Sequence, residues 1–176
     1  GLGIEGGEFI AHAATDGILH CIEAGELPNG DPYPIKMIWF QSSNSLACAG
    51  MDAPRDYEAL KSVDFIVNAD PVFTPLSVAV ADVLLPVAMS CERNCVRGWY
   101  TPLRSIVKVT QTGEAVGDEQ MMLELGKKMN PDLFYWDDVP EMLEFCTNNM
   151  ATVPIHVTMD ELREKVIIYP DFEYRK

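Results

Sequence analysis

Residues able to bind a ligand cluster after three short apolar runs. Residues 35–40 run into Gln41, Ser42, Ser43 and Asn44. Residues 65–67 run into Asn68, Ala69 and Asp70, with Thr74 close behind, and residues 83–85 lead toward a loop bearing Glu92 and Arg93. A fourth group is cationic: Arg93, Arg97, Arg104 and Lys108 lie in a stretch with no acid between Glu92 and Glu114. Such a stretch serves either as a groove for a phosphorylated ligand, through charge-assisted bonds to phosphate oxygens, or as a solvated strand face. Each polar residue also has a plain structural use: Asn44 as a turn former, Asp70 as a loop residue, Thr74 as a helix cap.

Catalytic machinery is harder to find. There is no Gly-rich phosphate loop and no Gly-x-Ser-x-Gly elbow. The run Gly1-Leu-Gly3-Ile-Glu-Gly6 matches G-x-G-x-x-G but lacks the strand that must come before it. Cys91-x3-Cys95 has no second ligand pair, and His12, His20 and His156 are scattered, which disfavours zinc. The five cysteines, Cys21, Cys48, Cys91, Cys95 and Cys146, show no disulfide framework and read as mostly buried free thiols.

The elements that must position these residues follow from periodicity and punctuation. Residues 7–24 carry a helical apolar stripe closed by Gly25. Residues 35–40, 65–67 and 83–85 read as strands. Asp52 with Pro54 opens a helix to about residue 62, and Thr74-Pro75 opens another over 76–81. Strand and helix alternating at short spacing predict an α/β fold, a Rossmann-like three-layer αβα domain with a mostly parallel sheet covered on both faces. The ligand crevice of such a sheet lies at the carboxyl ends of its strands, where the polar residues sit. Residues 106–109 suggest a further strand, 118–129 and 139–146 helices, and Thr158-x-x-Glu161 a capping box opening a last short helix. The expected division is an α/β domain over 1–130 and a short helical or irregular C-terminal extension over 131–176.

Composition narrows the function classes. The chain has 27 acidic against 13 basic side chains, a net charge of −14, which argues against nucleic acid and against an anionic membrane surface. The longest apolar stretch, 76–89, is broken by Asp82 and Pro86 and is shorter than the roughly 20 residues a bilayer requires, so no direct membrane insertion is expected. The opening at Gly1 has neither an initiator Met nor a signal-like segment, as expected of a piece of a longer protein.

Several ordered motifs point further. Ala81-Asp-Val-Leu-Leu-Pro86 followed by Glu92 resembles the ADVVLP…E signature of the molybdenum or tungsten bis(pyranopterin guanine dinucleotide) oxidoreductases, the dimethyl sulfoxide reductase superfamily. The strand and loop through Ser42-Ser-Asn44-Ser45 resemble that family's strand and G-x-N-P loop, with serines where the family often has glycine and proline. Asp70-x3-Thr74 is similar to its next turn, and Gly113-Glu-Ala-Val-Gly-Asp118 to its G-E-A-x-x-D segment. The formate dehydrogenase and nitrate reductase pattern after the Glu is replaced here by 94–104, which places the chain elsewhere in the superfamily.

The resemblance implies an internal α/β domain of a larger, metal-centred redox enzyme, inactive by itself, that binds one molybdopterin guanine dinucleotide of a Mo or W bis-MGD cofactor. Asn44, Ala69, Asp70, Thr74, Arg93 and Asp118 would line that dinucleotide. A carboxylate such as Asp70 or Asp118 suits guanine, because two acceptor oxygens pair with the ring N–H and the exocyclic amine, while Arg93 suits the pyrophosphate unless it pairs with an acid. Asp118 is also well placed to open a helix. The resemblance further implies a 4Fe-4S cluster in the amino-terminal part of the parent. Its partners would be the remaining domains of the catalytic subunit and an iron–sulfur electron-transfer subunit. The parent would be bacterial or archaeal, in the cytoplasm or exported folded to the periplasm. On the sheet pattern alone, a freestanding flavodoxin-like or nucleotide-binding α/β module is the other reading.

Overall fold

Helix α1 (Thr15–Ala24) ends where Gly25 adopts φ 70°, a left-handed conformation that lets its N–H reach Cys21 O at 3.0 Å. The computed structural model describes residues 15–27, 29–48, 52–97, 102–149 and 156–169, so the part of the expected first helix over 7–14 lies outside the described residues. Two units divide the chain, Gly1–Pro86 and Val87–Lys176.

In the first unit α1 is followed by β1 (Met37–Gln41), α2 (Ser45–Cys48), α3 (Ala53–Lys61), β2 (Phe65–Asp70), α4 (Pro75–Val80) and β3 (Val83–Pro86). The strands pair in parallel in the order β1-β2-β3, and the fold is a three-layer α/β domain, as the alternation predicts. Register sets Phe40, Asn68 and Leu84 side by side, and beyond them Asp70 beside Pro86. Asp52 accepts from the Arg55 N–H at 3.3 Å and Pro54 sits in the first turn, which is why α3 starts there. Leu60, Val63, Ile66 and Leu76 form the buried core, with Ile22, Ile38, Phe40 and Leu46 against it. Each such aliphatic side chain contributes about 1.5–3 kcal/mol by leaving water.

Asp82 ties the sheet together. Its N–H donates to Ile66 O at 2.9 Å and its carboxylate accepts the Ile66 N–H at 2.7 Å, so one residue captures both backbone groups of Ile66 just before β3 begins. The aspartate of the Ala81–Pro86 motif is therefore a register lock.

The second unit contains a 3-10 turn (Ser90–Glu92), β4 (Cys95–Arg97), β5 (Leu103–Ile106), α5 (Asp118–Met129), α6 (Val139–Asn148), α7 (Met159–Lys165) and β6 (Ile167–Ile168). Its sheet is antiparallel, ordered β4-β5-β6, an arrangement the sequence did not announce. The strand expected at 106–109 lies three residues earlier. Leu103 and Ser105 point inward and Arg104 outward in the required alternation, whereas Val107 and Val109 are exposed. Leu103, Val157, Met159 and Leu162 make the core of this unit. Thr158 caps α7 by accepting from the Glu161 N–H at 3.1 Å. No helix of the described residues is long and apolar enough to cross a membrane. The cysteines are free, but only Cys21 and Cys95 are buried; Cys48, Cys91 and Cys146 are exposed, at a helix end, in the 3-10 turn and on α6, which corrects the expectation of mostly buried thiols.

Gly126 lies inside α5 with the Phe134 ring directly over its α-carbon, so that a Cβ would overlap the ring. Gly126→Ala is expected to lower stability by about 1–3 kcal/mol through overpacking, against a helix-propensity gain of about 1 kcal/mol. Urea denaturation decides, since a raised midpoint would mean that Phe134 does not pack there.

Candidate functional site

Four of the six residues singled out from the sequence belong to the first unit. Ser42, directly after β1, has φ 47°, a conformation that favours glycine, and its N–H donates to Ala69 O at 2.7 Å. That turn brings Asn44 to the start of α4, where its side-chain oxygen accepts from the Leu76 N–H at 3.4 Å while its carbonyl accepts the Ala47 and Cys48 N–H groups of α2. Thr74 caps the same helix: its hydroxyl accepts from the Ser77 N–H at 3.2 Å, and the Ser77 hydroxyl accepts from the Thr74 N–H at 2.6 Å. Asn44 and Thr74 thus meet at one helix terminus and satisfy its N–H groups. Ala69 is fully buried in β2, facing away from Asp70.

Asp70 is freer to act. One carboxylate oxygen accepts from the Val72 N–H at 3.1 Å, which fixes the turn after β2. Asp70 lines a cleft of about 250 Å³ with Asn68, Phe73, Ser77, Leu84 and Pro86. Asn68 is a residue whose importance the sequence reading missed. It is 1% exposed, and neither its Oδ1 nor its Nδ2 has a hydrogen-bond partner. The signal was present in the sequence, as an asparagine two residues before Asp70 and therefore on the same strand face.

Arg93 and Asp118 belong to the second unit, which brings them together. The Arg93 guanidinium donates to Asp118 at the first turn of α5, and to Glu119 Oε2 at 3.1 Å. Burial disfavours its charge, but the Glu119 and Asp118 carboxylates outweigh burial and raise its pKa above the ordinary value. Gly117 eases this approach, since a Cβ there would stand 3.2 Å from Arg93 Cβ, a tight contact. The cationic stretch is split: Arg93 and Lys108 line one cleft of about 260 Å³ together with Glu92 and Glu119, and Arg97 and Arg104 lie outside its lining. Lys108 bonds the Gln111 side chain, and Arg97 and Arg104 stand opposite each other, exposed, on β4 and β5. Glu92 is buried. The Thr112 side chain, together with the Met89 N–H at 2.8 Å, holds its carboxyl below the usual range.

No protein-family model matches the sequence, and no curated protein matches it. Among solved structures the chain is similar to acetylene hydratase from Pelobacter acetylenicus, with a TM-score of 0.71 and 20% identity over 90% of this chain and 21% of that one. The likeness shows the fold, and the chain spans about a fifth of the length of that enzyme.

Two predictions follow from the charges. Arg93→Met leaves two partly buried carboxylates facing each other and is expected to cost about 1–3 kcal/mol, more than Asp118→Asn or Glu119→Gln alone, by urea denaturation of all three. Glu92 has a folded pKa below its unfolded value of about 4.3, so its ionised form contributes stability above that pH and loses it as pH falls through the folded value. The gap in urea midpoint between the wild type and Glu92→Gln should therefore narrow as pH falls below the ordinary glutamate value; a gap that ignores pH would show that the carboxyl is not held in its charged form.

Proposed function

We propose that this chain is an internal α/β segment of a larger molybdenum or tungsten oxidoreductase of the dimethyl sulfoxide reductase superfamily, and that it binds one pterin guanine dinucleotide. The observation that carries the reading is the cleft at the carboxyl end of β2, where Asp70 presents a carboxylate beside the unpaired carboxamide of Asn68. The ordered motifs from residue 34 to residue 118 support it, as does a fold shared with a fifth of a much longer enzyme.

These residues fit a guanine. Its ring N–H and exocyclic amine call for an acceptor pair, and a carboxylate supplies two oxygens. Asn44, Ala69 and Thr74 would shape the turn around the base. Arg93 and Asp118 are proposed as dinucleotide residues on the resemblance alone, entering as an ion pair. When bound, the cofactor supplies metal-centred redox chemistry in the parent. This chain's part is to orient the nucleotide and exclude water from the base edge. The 4Fe-4S cluster, the other catalytic domains and an iron–sulfur electron-transfer subunit belong to the parent in the same proposal.

Binding of guanosine diphosphate, followed by calorimetry, tests the site. Asp70→Asn replaces one of two acceptor oxygens facing N–H groups by a donor and is expected to weaken binding about 10- to 100-fold. Absent binding, or binding indifferent to the substitution, would overturn the assignment. Metal and pterin analysis of the full-length protein, purified anaerobically, tests the class, which falls if neither molybdenum or tungsten nor pterin accompanies folded protein.

A further inference from the structure

Asn68 occupies an unusual place. Asparagine is depleted in strands, and here it lies in the central strand of a parallel sheet between Phe40 and Leu84, neither of which has a side-chain polar atom to offer. Burying a carboxamide with no partner works against folding, and an apolar side chain of similar size would pack there without that penalty. The Asn68 carboxamide has no partner among the described residues, and the cleft it lines is the side from which a ligand group would approach.

The cleft has the shape and polarity of a base-edge reader. Asn68 and Asp70 project from the same face of β2, about 7 Å apart along the strand. Together they offer a carboxylate at the mouth and amide N–H donors deeper in. Phe73, 80% exposed, contributes an apolar ring to the lining. Stacking on such a ring tolerates any flat heterocycle, so the choice among heterocycles is left to the polar pair.

We propose that Asn68 is a specificity-determining ligand contact: its carboxamide N–H donates to the ring carbonyl of a 6-oxopurine whose neighbouring N–H and amine are taken by Asp70. The inference rests on the reading that a guanine nucleotide occupies this end of the sheet, and it adds to that reading a residue the resemblance does not supply. The same contact accounts for a polar side chain at a position where it does not help the fold.

Binding of guanosine, inosine and adenosine diphosphates to wild type, Asn68→Leu, Asn68→Val and Asp70→Asn tests it, with thermal unfolding of each. The proposal expects Asn68→Leu or Asn68→Val to raise the unfolding temperature. Guanosine and inosine diphosphates should both weaken about tenfold, with their ratio unchanged, since the 2-amino group is read by Asp70. Asp70→Asn should instead collapse that ratio. If Asp70→Asn weakens guanosine diphosphate while both Asn68 variants keep wild-type affinity, the Asn68 contact is overturned and the guanine reading stands. Asn68 variants that unfold at lower temperature or do not fold would show that the carboxamide supports the fold, which also overturns the contact. No binding of guanosine diphosphate by the wild type overturns the guanine reading and the contact with it.

Discussion

The first unit depends on the clasp between Asp82 and Ile66. On the β3 side of β2, the N–H and C=O of Ile66 both go to one residue, the first through the Asp82 carboxylate and the second through the Asp82 N–H. A strand slipped by one residue would turn every side chain to the other face, so a lock at the entrance to β3 fixes everything beyond it. With that register Leu84 lies beside Asn68 and Pro86 beside Asp70, which gives the cleft its floor. The acid that makes the Ala81–Pro86 motif recognisable therefore acts at the opposite end of the strand from the cleft it builds.

The same logic explains why the candidate residues were only partly legible. Strands β1 to β3 show in the sequence because each is a short apolar run bounded by turn formers, although only the central β2 is buried. Their ends do not, because asparagine and aspartate usually signal a turn; the apolar run predicts that β2 stops at residue 67, yet pairing with β1 and β3 carries it through Asp70. Asn44 and Thr74 could be named from the sequence, but hydroxyls and amides that bind ligands are the ones that cap helices. Only the structure shows both engaged at the start of α4. Ser42 is a related case, since its left-handed backbone gives a physical reason for the glycine that the resembling family often has there.

In the second unit tertiary packing overrides local preference. Ile106 to Val109 is the more β-branched segment, yet the pairing falls on Leu103–Ile106 because Leu103 and Ser105 can turn inward together against α7. Strand β6 is two residues long and exists only because β5 offers an edge, which no periodicity could announce. Arg93 shows the same limit in charge. In the sequence it belongs to a cationic run, and in the fold it sits between two acids contributed by the first turn of α5.

That pairing bears on what kind of recognition this chain can perform. Binding a diphosphate requires positive charge to be gathered against a background of −14, and the cation expected to do so is already held by two carboxylates. Reading a neutral heterocycle makes no such demand. A carboxylate facing ring N–H groups and an amide facing a ring carbonyl need hydrogen-bond complementarity and exclusion of water, both of which an acidic protein can provide. The first unit has the elements for this: a carboxylate whose turn is fixed by Val72, a desolvated amide two residues behind it, and a sheet register locked by Asp82. Under the proposed reading, recognition by the first unit rests on the base edge, and Arg93, held by Asp118 and Glu119, adds little to it.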